Sequence, residues 1–327
     1  MKPYALGTFS HERDSRKFVG LVMDDQVADL AILAKLYDAP ALADAGSVLA
    51  LLDAWDTHRA ALDRLALAID VKTEHWYARD ALRVHPAIDL PRQVFCTGAN
   101  YRKHVVDMTV DAKVGPPGLD EAALRRWAEN MMDERAATGE PYAFTKPVST
   151  VSGAYDPLVL PNTTTQPDWE LELAVVIGRS GYQIPRELAM SYVAGYCIVN
   201  DISARDLIPR TDYKMLGTDW LRSKGQPGFL PLGPYFVPKA FVVDPHRLKM
   251  RLSVSGKVMQ DESTADMLFG IERQIEYISR YSRLLPGDII CTGSPAGNGT
   301  HYNRYLQAGD VIEAEIEGLG RQRQTCV

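Results

Sequence analysis

A chain of 327 residues, 46% of them apolar, is long enough to bury one large core or two unequal ones. Its formal net charge of −6, with no basic stripe, argues against nucleic acid or an anionic membrane as partner. The apolar runs are too short and interrupted to cross a bilayer, and residues 1–10 lack the basic and apolar regions of a signal peptide. The four cysteines, Cys96, Cys197, Cys291 and Cys326, form neither a C-x-x-C motif nor a secreted framework. Three of them sit in apolar strand-like runs, as small core residues do, so a reducing cytoplasm is expected.

In chain order, residues 17–22 and 26–30 read as a hairpin around Met23-Asp24-Asp25, and helical patterns follow at 47–55 and 58–67. No chemistry is evident there. A Pro-punctuated stretch, 83–92, reads as a linker. Beyond it, Phe95-Cys96-Thr97-Gly98-Ala99-Asn100-Tyr101 precedes His104 and Asp107, which share a face on a helical turn. An acid beside an imidazole fixes its tautomer and raises its basicity, as a general base needs; a surface hydrogen bond is the plainer role. Residues 110–139 contain Gly115-Pro116-Pro117-Gly118 and then an amphipathic helix over 119–135. The excursion 103–143 is therefore read as a surface segment, a lid or a dimer contact.

Asp168-Trp169-Glu170-Leu171-Glu172-Leu173-Ala174-Val175-Val176-Ile177-Gly178 carries the strongest signal. Alternation along a strand points Glu170 and Glu172 to one side, with Leu171, Leu173 and Val175 between and beyond them. Two carboxylates beside an apolar run repel each other and lose hydration. A divalent cation relieves both costs, and carboxylate oxygens suit Mg²⁺, Mn²⁺ or Ca²⁺; a solvated edge strand is the alternative. A second apolar run, 192–199, ends at Asn200-Asp201, and a turn at 178–182 with a short helix at 185–190 lets the two runs meet, setting Asp201 against the glutamates.

Downstream, 248–254 alternates, 255–257 turns, and 267–284 is the one long helical stretch. Pro286-Gly287-Asp288 and Ala308-Gly309-Asp310 introduce strands at 289–291 and 311–316. Short strands with few helices imply a mixed β-rich α+β fold with a rolled or barrel-like sheet.

The pair D-W-E-L-E-L-A-V-V-I-G and N-D-I-S-A-R-D resembles the fumarylacetoacetate hydrolase superfamily. Further segments match in order: G-x-N-Y-x-x-H at Gly98 to His104, F-x-K-P at Phe144 to Pro147, Lys224-Gly225 with Pro231-Leu232-Gly233-Pro234, and Thr292-Gly293-Ser294-Pro295-Ala296-Gly297. The resemblance covers roughly residues 92–327. It implies Mg²⁺ or Mn²⁺ held by Glu170, Glu172 and Asp201, with His104 and Asp107 as a lid-borne dyad; the family carries Glu where Asp107 stands. It also implies Lys224 polarising a substrate carbonyl or carboxylate. Tyr101, Lys146, Arg205 and Ser294 are the candidate substrate contacts. For Arg205, a salt bridge to Asp206 or Asp201 is the plainer role, and for Tyr101 and Lys146 it is core or surface packing. A small N-terminal domain, 1–90, before a catalytic domain, 91–327, fits the family's organisation.

The implied chemistry is metal-assisted stabilisation of an enolate as a diketo or 2-oxo acid reacts. Hydrolysis of a C–C bond in an acylpyruvate-like or aromatic ring-cleavage product is the preferred expectation. Decarboxylation, hydration and isomerisation use the same logic, and a non-catalytic metal-binding β-module is the other alternative. Arg102 and Lys103 stand where classical fumarylacetoacetases carry an extra carboxylate, which points away from fumarylacetoacetate itself. The expected assembly is a homodimer.

Overall fold

The computed structural model describes residues 2–69 and 75–327. Its first sheet is built from β1 (Ala5–His11), β2 (Asp14–Met23), β3 (Gln26–Asp29), β4 (Tyr77–Ala78) and β5 (Leu82–Val84), in the order β4-β3-β2-β1-β5. The expected hairpin is β2–β3. Its turn residues Asp24 and Asp25 have φ of 49° and 60°, the positive values a two-residue turn of this hand requires. Sequence reading missed β1, which pairs along β2 with Gly7 opposite Gly20. A Cβ at Gly20 would lie 2.4 Å from the Phe9 ring, so these glycines make room for a buried aromatic and blur the apolar alternation.

Helices α1 (Leu30–Leu36), α2 (Pro40–Ala43), α3 (Val48–Asp53) and α4 (Trp55–Ala68) follow. The start of α3 is fixed by Ser47, whose hydroxyl accepts from the Ala50 N–H at 3.0 Å. The stretch read as a linker is not free chain. Leu82–Val84 pairs with β1, and Ala87 and Ile88 are fully buried, so the prolines end a strand without releasing it from the core.

The remaining strands are β6 (Val94–Gly98), β7 (Tyr142–Thr145), β8 (Val151–Gly153), β9 (Pro167–Asp168), β10 (Leu171–Ile177), β11 (Val193–Asn200), β12 (Ser203–Ala204), β13 (Leu230–Leu232), β14 (Val237–Pro238), β15 (Lys249–Val254), β16 (Lys257–Ser263), β17 (Ile289–Cys291), β18 (Val311–Ile316) and β19 (Gly320–Thr325). The helices among them are α5 (Arg102–Asp111), α6 (Glu121–Thr138), α7 (Arg186–Ala189), α8 (Trp220–Lys224) and α9 (Ile271–Tyr281). One sheet runs β7-β6-β17-β10-β11-β13-β8 with β14 added to β11; another runs β16-β15-β18-β19. Pairs β6–β17 and β8–β13 are parallel and the rest of the large sheet is antiparallel. This is the mixed, β-rich class expected, with curled sheets.

Helix α9 is shorter than the 267–284 stretch suggested. Residues 268 and 269 instead bond to Asn100, through Leu268 N–H to the Asn100 carbonyl and Phe269 N–H to its side chain, and the helix begins only after Gly270. Among the described residues, no helix is long and apolar enough to cross a membrane.

Strand β10 is central and buried on both faces, with β17 and β11 as neighbours. Leu171, Leu173, Val175 and Ile177 join an apolar cluster with Met250, Leu252 and Ile275. Ala174 and Val176 join a second cluster with Leu6, Leu21, Leu52 and Trp55. The Glu172 side is therefore the one that continues into this second core, and the strand's N-terminal end is where that core gives way to acids.

Candidate active site

Antiparallel pairing sets Leu171 opposite Asn200 and Glu172 opposite Val199, and the Asp201 N–H donates to the Glu170 carbonyl at 2.8 Å. Counting by twos, Glu170, Glu172, Val199 and Asp201 fall on one side. Carboxylate oxygens of Glu170, Glu172 and Asp201 accordingly lie within 4.8 Å of one another, and all three residues are buried. The solvated-edge alternative fails, because neighbours cover the strand on both sides.

Basic side chains surround this group. The Lys224 ammonium donates to Glu170 Oε2 at 2.7 Å and to Asp201 Oδ2. Lys146 donates to Asp201 Oδ1 and to the carbonyls of Ile202 (3.1 Å) and Phe229 (2.6 Å), with its side chain wholly buried. Arg205 is paired, but with Asp168 through Nε (2.8 Å) and Glu170 through Nη2 (2.6 Å) rather than with Asp206 or Asp201. Asp168 is held in turn by the Gly299 N–H at 2.6 Å. Glu172 differs from the others: it accepts the Gly293 N–H at 2.7 Å and has no cationic partner among the described residues.

The electrostatics follow from this division. Burial would raise the Glu170 carboxyl, but Arg205 and Lys224 outweigh it and hold Glu170 below the usual carboxylate range. Burial would lower the Lys224 ammonium, but Asp201 and Glu170 keep it charged. Glu172 is pushed well above the carboxylate range, by burial first and then by Asp201 and Glu170. Four carboxylates (Asp168, Glu170, Glu172, Asp201) face three fixed cations (Lys146, Arg205, Lys224), and the uncompensated one belongs to the triad. A hard divalent cation fits that donor set and that missing charge.

His104 lies on α5 and is buried, without a protein hydrogen-bond partner among the described residues. Burial pushes its imidazolium down to about 4, only partly opposed by Glu170, so the ring is neutral at ordinary pH. Asp107 shares the helix, but its carboxylate is taken by Arg125 of α6 at 2.8 Å. One methylene shorter than the family's Glu, it lies with the facing helix and not on the imidazole. Helices α5 and α6 pack through Val106, Ala128 and Met132, with Arg102 bonded to Asp133. Further ties run from Lys103 N–H to Asp266 and from Asp111 to His301.

Tyr101 is fully buried in the core, its hydroxyl 3.5 Å from Met250 Sδ, so packing is what its surroundings display. Ser294 is buried beside Gln260. Lys224 lies 5.4 Å from the centre of the Phe144 ring, which stacks on Trp220 with centroids 4.8 Å apart. Asp168 and Asn100 lay inside recognised motifs without a role attached. Gln260 and Trp220 gave no local signal as site residues, since their contacts are made across the fold; Arg125, which the sequence offers with Arg126 as a lid cation for the substrate's distal end, is bonded to Asp107 instead.

A family model described as fumarylacetoacetate (FAA) hydrolase C-terminal matches residues 93–327. A 2,4-didehydro-3-deoxy-L-rhamnonate hydrolase of Sphingomonas sp. is 44% identical over 188 residues, 57% of this chain and 64% of its own length. A mitochondrial oxaloacetate tautomerase of Homo sapiens is 37% identical over 232 residues, 70% of this chain and 65% of its own length. The chain thus spans just under two thirds of each of these relatives. Among solved structures, the fumarylacetoacetate hydrolase of psychrophilic Exiguobacterium antarcticum is 28% identical, covers 99% of both chains and superposes with a TM-score of 0.74. With ordered motifs, fold and family model in agreement over the same residues, the chain belongs to the fumarylacetoacetate hydrolase family.

Proposed function

We propose that this chain is a divalent-metal-dependent enzyme acting on 2-oxo acids, and that it hydrolyses the C–C bond of a diketo acid of the acylpyruvate type. The observation that carries this reading is the buried triad of Glu170, Glu172 and Asp201, its carboxylate oxygens within 4.8 Å of one another and Glu172 without a cationic partner among the described residues. Glu170, Glu172 and Asp201 would hold Mg²⁺ or Mn²⁺, which when bound supplies Lewis-acid polarisation of a 2-oxo acid and stabilises negative charge as the bond breaks.

The chain's own groups take the remaining roles. His104 Nδ1 or Nε2 accepts a proton from the attacking water, which a ring neutral at ordinary pH is able to do. Arg205 is aimed by Asp168 and Glu170 and presents its remaining guanidinium edge to the substrate carboxylate. Lys224 adds a fixed positive charge beside the oxo group, and Ser294 a hydroxyl. The hairpin 103–143, which carries His104, acts as the lid, and residues 1–90, which supply none of these groups, serve as a supporting domain.

A second reading, tautomerisation of a 2-oxo acid, draws on one observation: Asp107 is held by Arg125, leaving His104 a proton carrier without its acidic partner. The oxaloacetate tautomerase among the relatives supports it. The deciding experiment incubates the protein with Mg²⁺ or Mn²⁺ and either an acylpyruvate or oxaloacetate. Release of pyruvate and a carboxylic acid marks hydrolysis, and enol-to-keto conversion without fragments marks tautomerisation. No conversion of either substrate would leave a metal-binding module and overturn both.

A further inference from the structure

Gln260 lies on β16, distant in sequence from every motif of the site, yet fully buried against two of them. Its Oε1 accepts the Leu171 N–H at 3.2 Å, between the two glutamates of the triad. Its Nε2 lies 2.9 Å from the Pro295 carbonyl and 3.0 Å from Ser294 Oγ. A backbone N–H only donates and a carbonyl only accepts. Reversing the amide would therefore set donor against donor and oxygen against oxygen, so one orientation is fixed.

It follows that Nε2 donates to Ser294 Oγ, which must accept. The serine proton is then directed elsewhere. Its only protein acceptor among the described residues is the adjacent Pro295 carbonyl at 3.4 Å, a long and poor hydrogen bond. We infer that Gln260 is a positioning residue that makes Ser294 an obligate donor toward the bound substrate, so that the atom facing Ser294 is an acceptor, a carboxylate or carbonyl oxygen. The inference rests on the 2-oxo acid reading. It goes beyond it in assigning polarity to Ser294 and a role to a glutamine outside the motifs. The same side chain ties the loop at 294–296 to the first residue of β10, so the donor and the triad keep a common frame.

Pyruvate binding in saturating Mn²⁺, measured by calorimetry, tests this on the full chain. Ser294→Ala should weaken binding about tenfold, the scale of a hydrogen bond to a charged acceptor. Gln260→Glu keeps the acceptor for Leu171 but sets an oxygen against both Ser294 Oγ and the Pro295 carbonyl, so, measured at a pH where the new carboxyl is ionised, Ser294 meets an acceptor instead of a donor and its hydroxyl turns inward. Its added charge acts with or without the hydroxyl, so the informative quantity is the effect of Ser294→Ala within each background. That effect should shrink from about tenfold to about twofold or less once Gln260→Glu is present. Should Gln260→Glu fail to fold, Gln260→Met repeats the comparison, with the hydroxyl's contribution again expected to fall. An equal contribution in both backgrounds, or none in the parent, overturns the role of Gln260. A parent that binds Mn²⁺ but not pyruvate overturns the 2-oxo acid reading itself.

Discussion

Glu172 gives the most direct test of the metal site, because its charge state must change when an ion arrives. In the metal-free protein its carboxyl is held well above the ordinary range, by burial and by Asp201 and Glu170, while Glu170 is held below it. Below that raised pKa, a divalent cation has to displace one proton from Glu172. Affinity should then rise about tenfold per pH unit, about 1.4 kcal/mol, with close to one proton released per ion, and level off once Glu172 is ionised without help. The same shift works against the empty fold. As pH rises above the usual carboxylate range, the unfolded chain ionises Glu172 and the folded chain does not, so metal-free stability falls until the raised pKa is passed. Bound metal should cancel that fall. Titration calorimetry with Mn²⁺ in two buffers of different ionisation enthalpy reads the proton count, and thermal melts with and without Mn²⁺ read the stability. Glu172→Gln should abolish the proton release and weaken binding by roughly a hundredfold or more, since a neutral amide replaces the one ligand without a cationic partner. A pH-independent affinity with no proton release, or parental affinity in Glu172→Gln, would refute the reasoning.

Chelation should abolish turnover, and Mg²⁺ or Mn²⁺ should restore it; full activity in excess chelator sinks the metal proposal. His104→Ala should lower kcat by about 10²-fold or more while leaving Mn²⁺ affinity intact, and Asp107→Asn should be milder because Arg125 already engages that carboxylate. Parental kcat in His104→Ala would remove the ring from the chemistry. With His104 pushed down to about 4, the acid limb of kcat/KM at saturating metal should lie well below the ordinary imidazole range; a limb near pH 6.5 would contradict its burial. Substrates with an apolar or aromatic distal group should be preferred about tenfold over those carrying a second carboxylate, about 1.4 kcal/mol. Equal kcat/KM across a series differing only at that end would refute this.

What could be read from sequence was whatever depends on a strand's own period. Glu170 and Glu172 fall on one side because alternation is local, and Asp201 joins them because a short connection folds one strand back on the other. Burial of β1 on both faces, with Gly7 opposite Gly20 of β2 making room for Phe9, hid its alternation, and prolines made a buried strand end look like a linker. Side-chain partners were beyond reach for a different reason. Arg125 takes Asp107 from a second helix, 18 residues on, and Gln260 reaches Leu171 across 89 residues. Such contacts depend on packing between elements, which no periodicity encodes. The same holds for Arg205, where its type was informative but its partners, Asp168 and Glu170, depend on how β9, β12 and the start of β10 come together.

The charges of the site also bear on what it admits. Four carboxylates against Lys146, Arg205 and Lys224 leave one negative charge when all are ionised, and a divalent ion turns that into one positive charge. His104 adds none, being neutral. On the reading proposed, a loaded site would be matched by a single anionic group, the carboxylate of a 2-oxo acid, and a second carboxylate there would lose hydration without a counter-charge. Arg125 of α6 is paired with Asp107, which neutralises its charge. Beside Lys224 stands the stacked pair of Phe144 and Trp220, a surface that suits a planar or apolar group. On the reading proposed, one charged head and an uncharged tail is the substrate shape to expect.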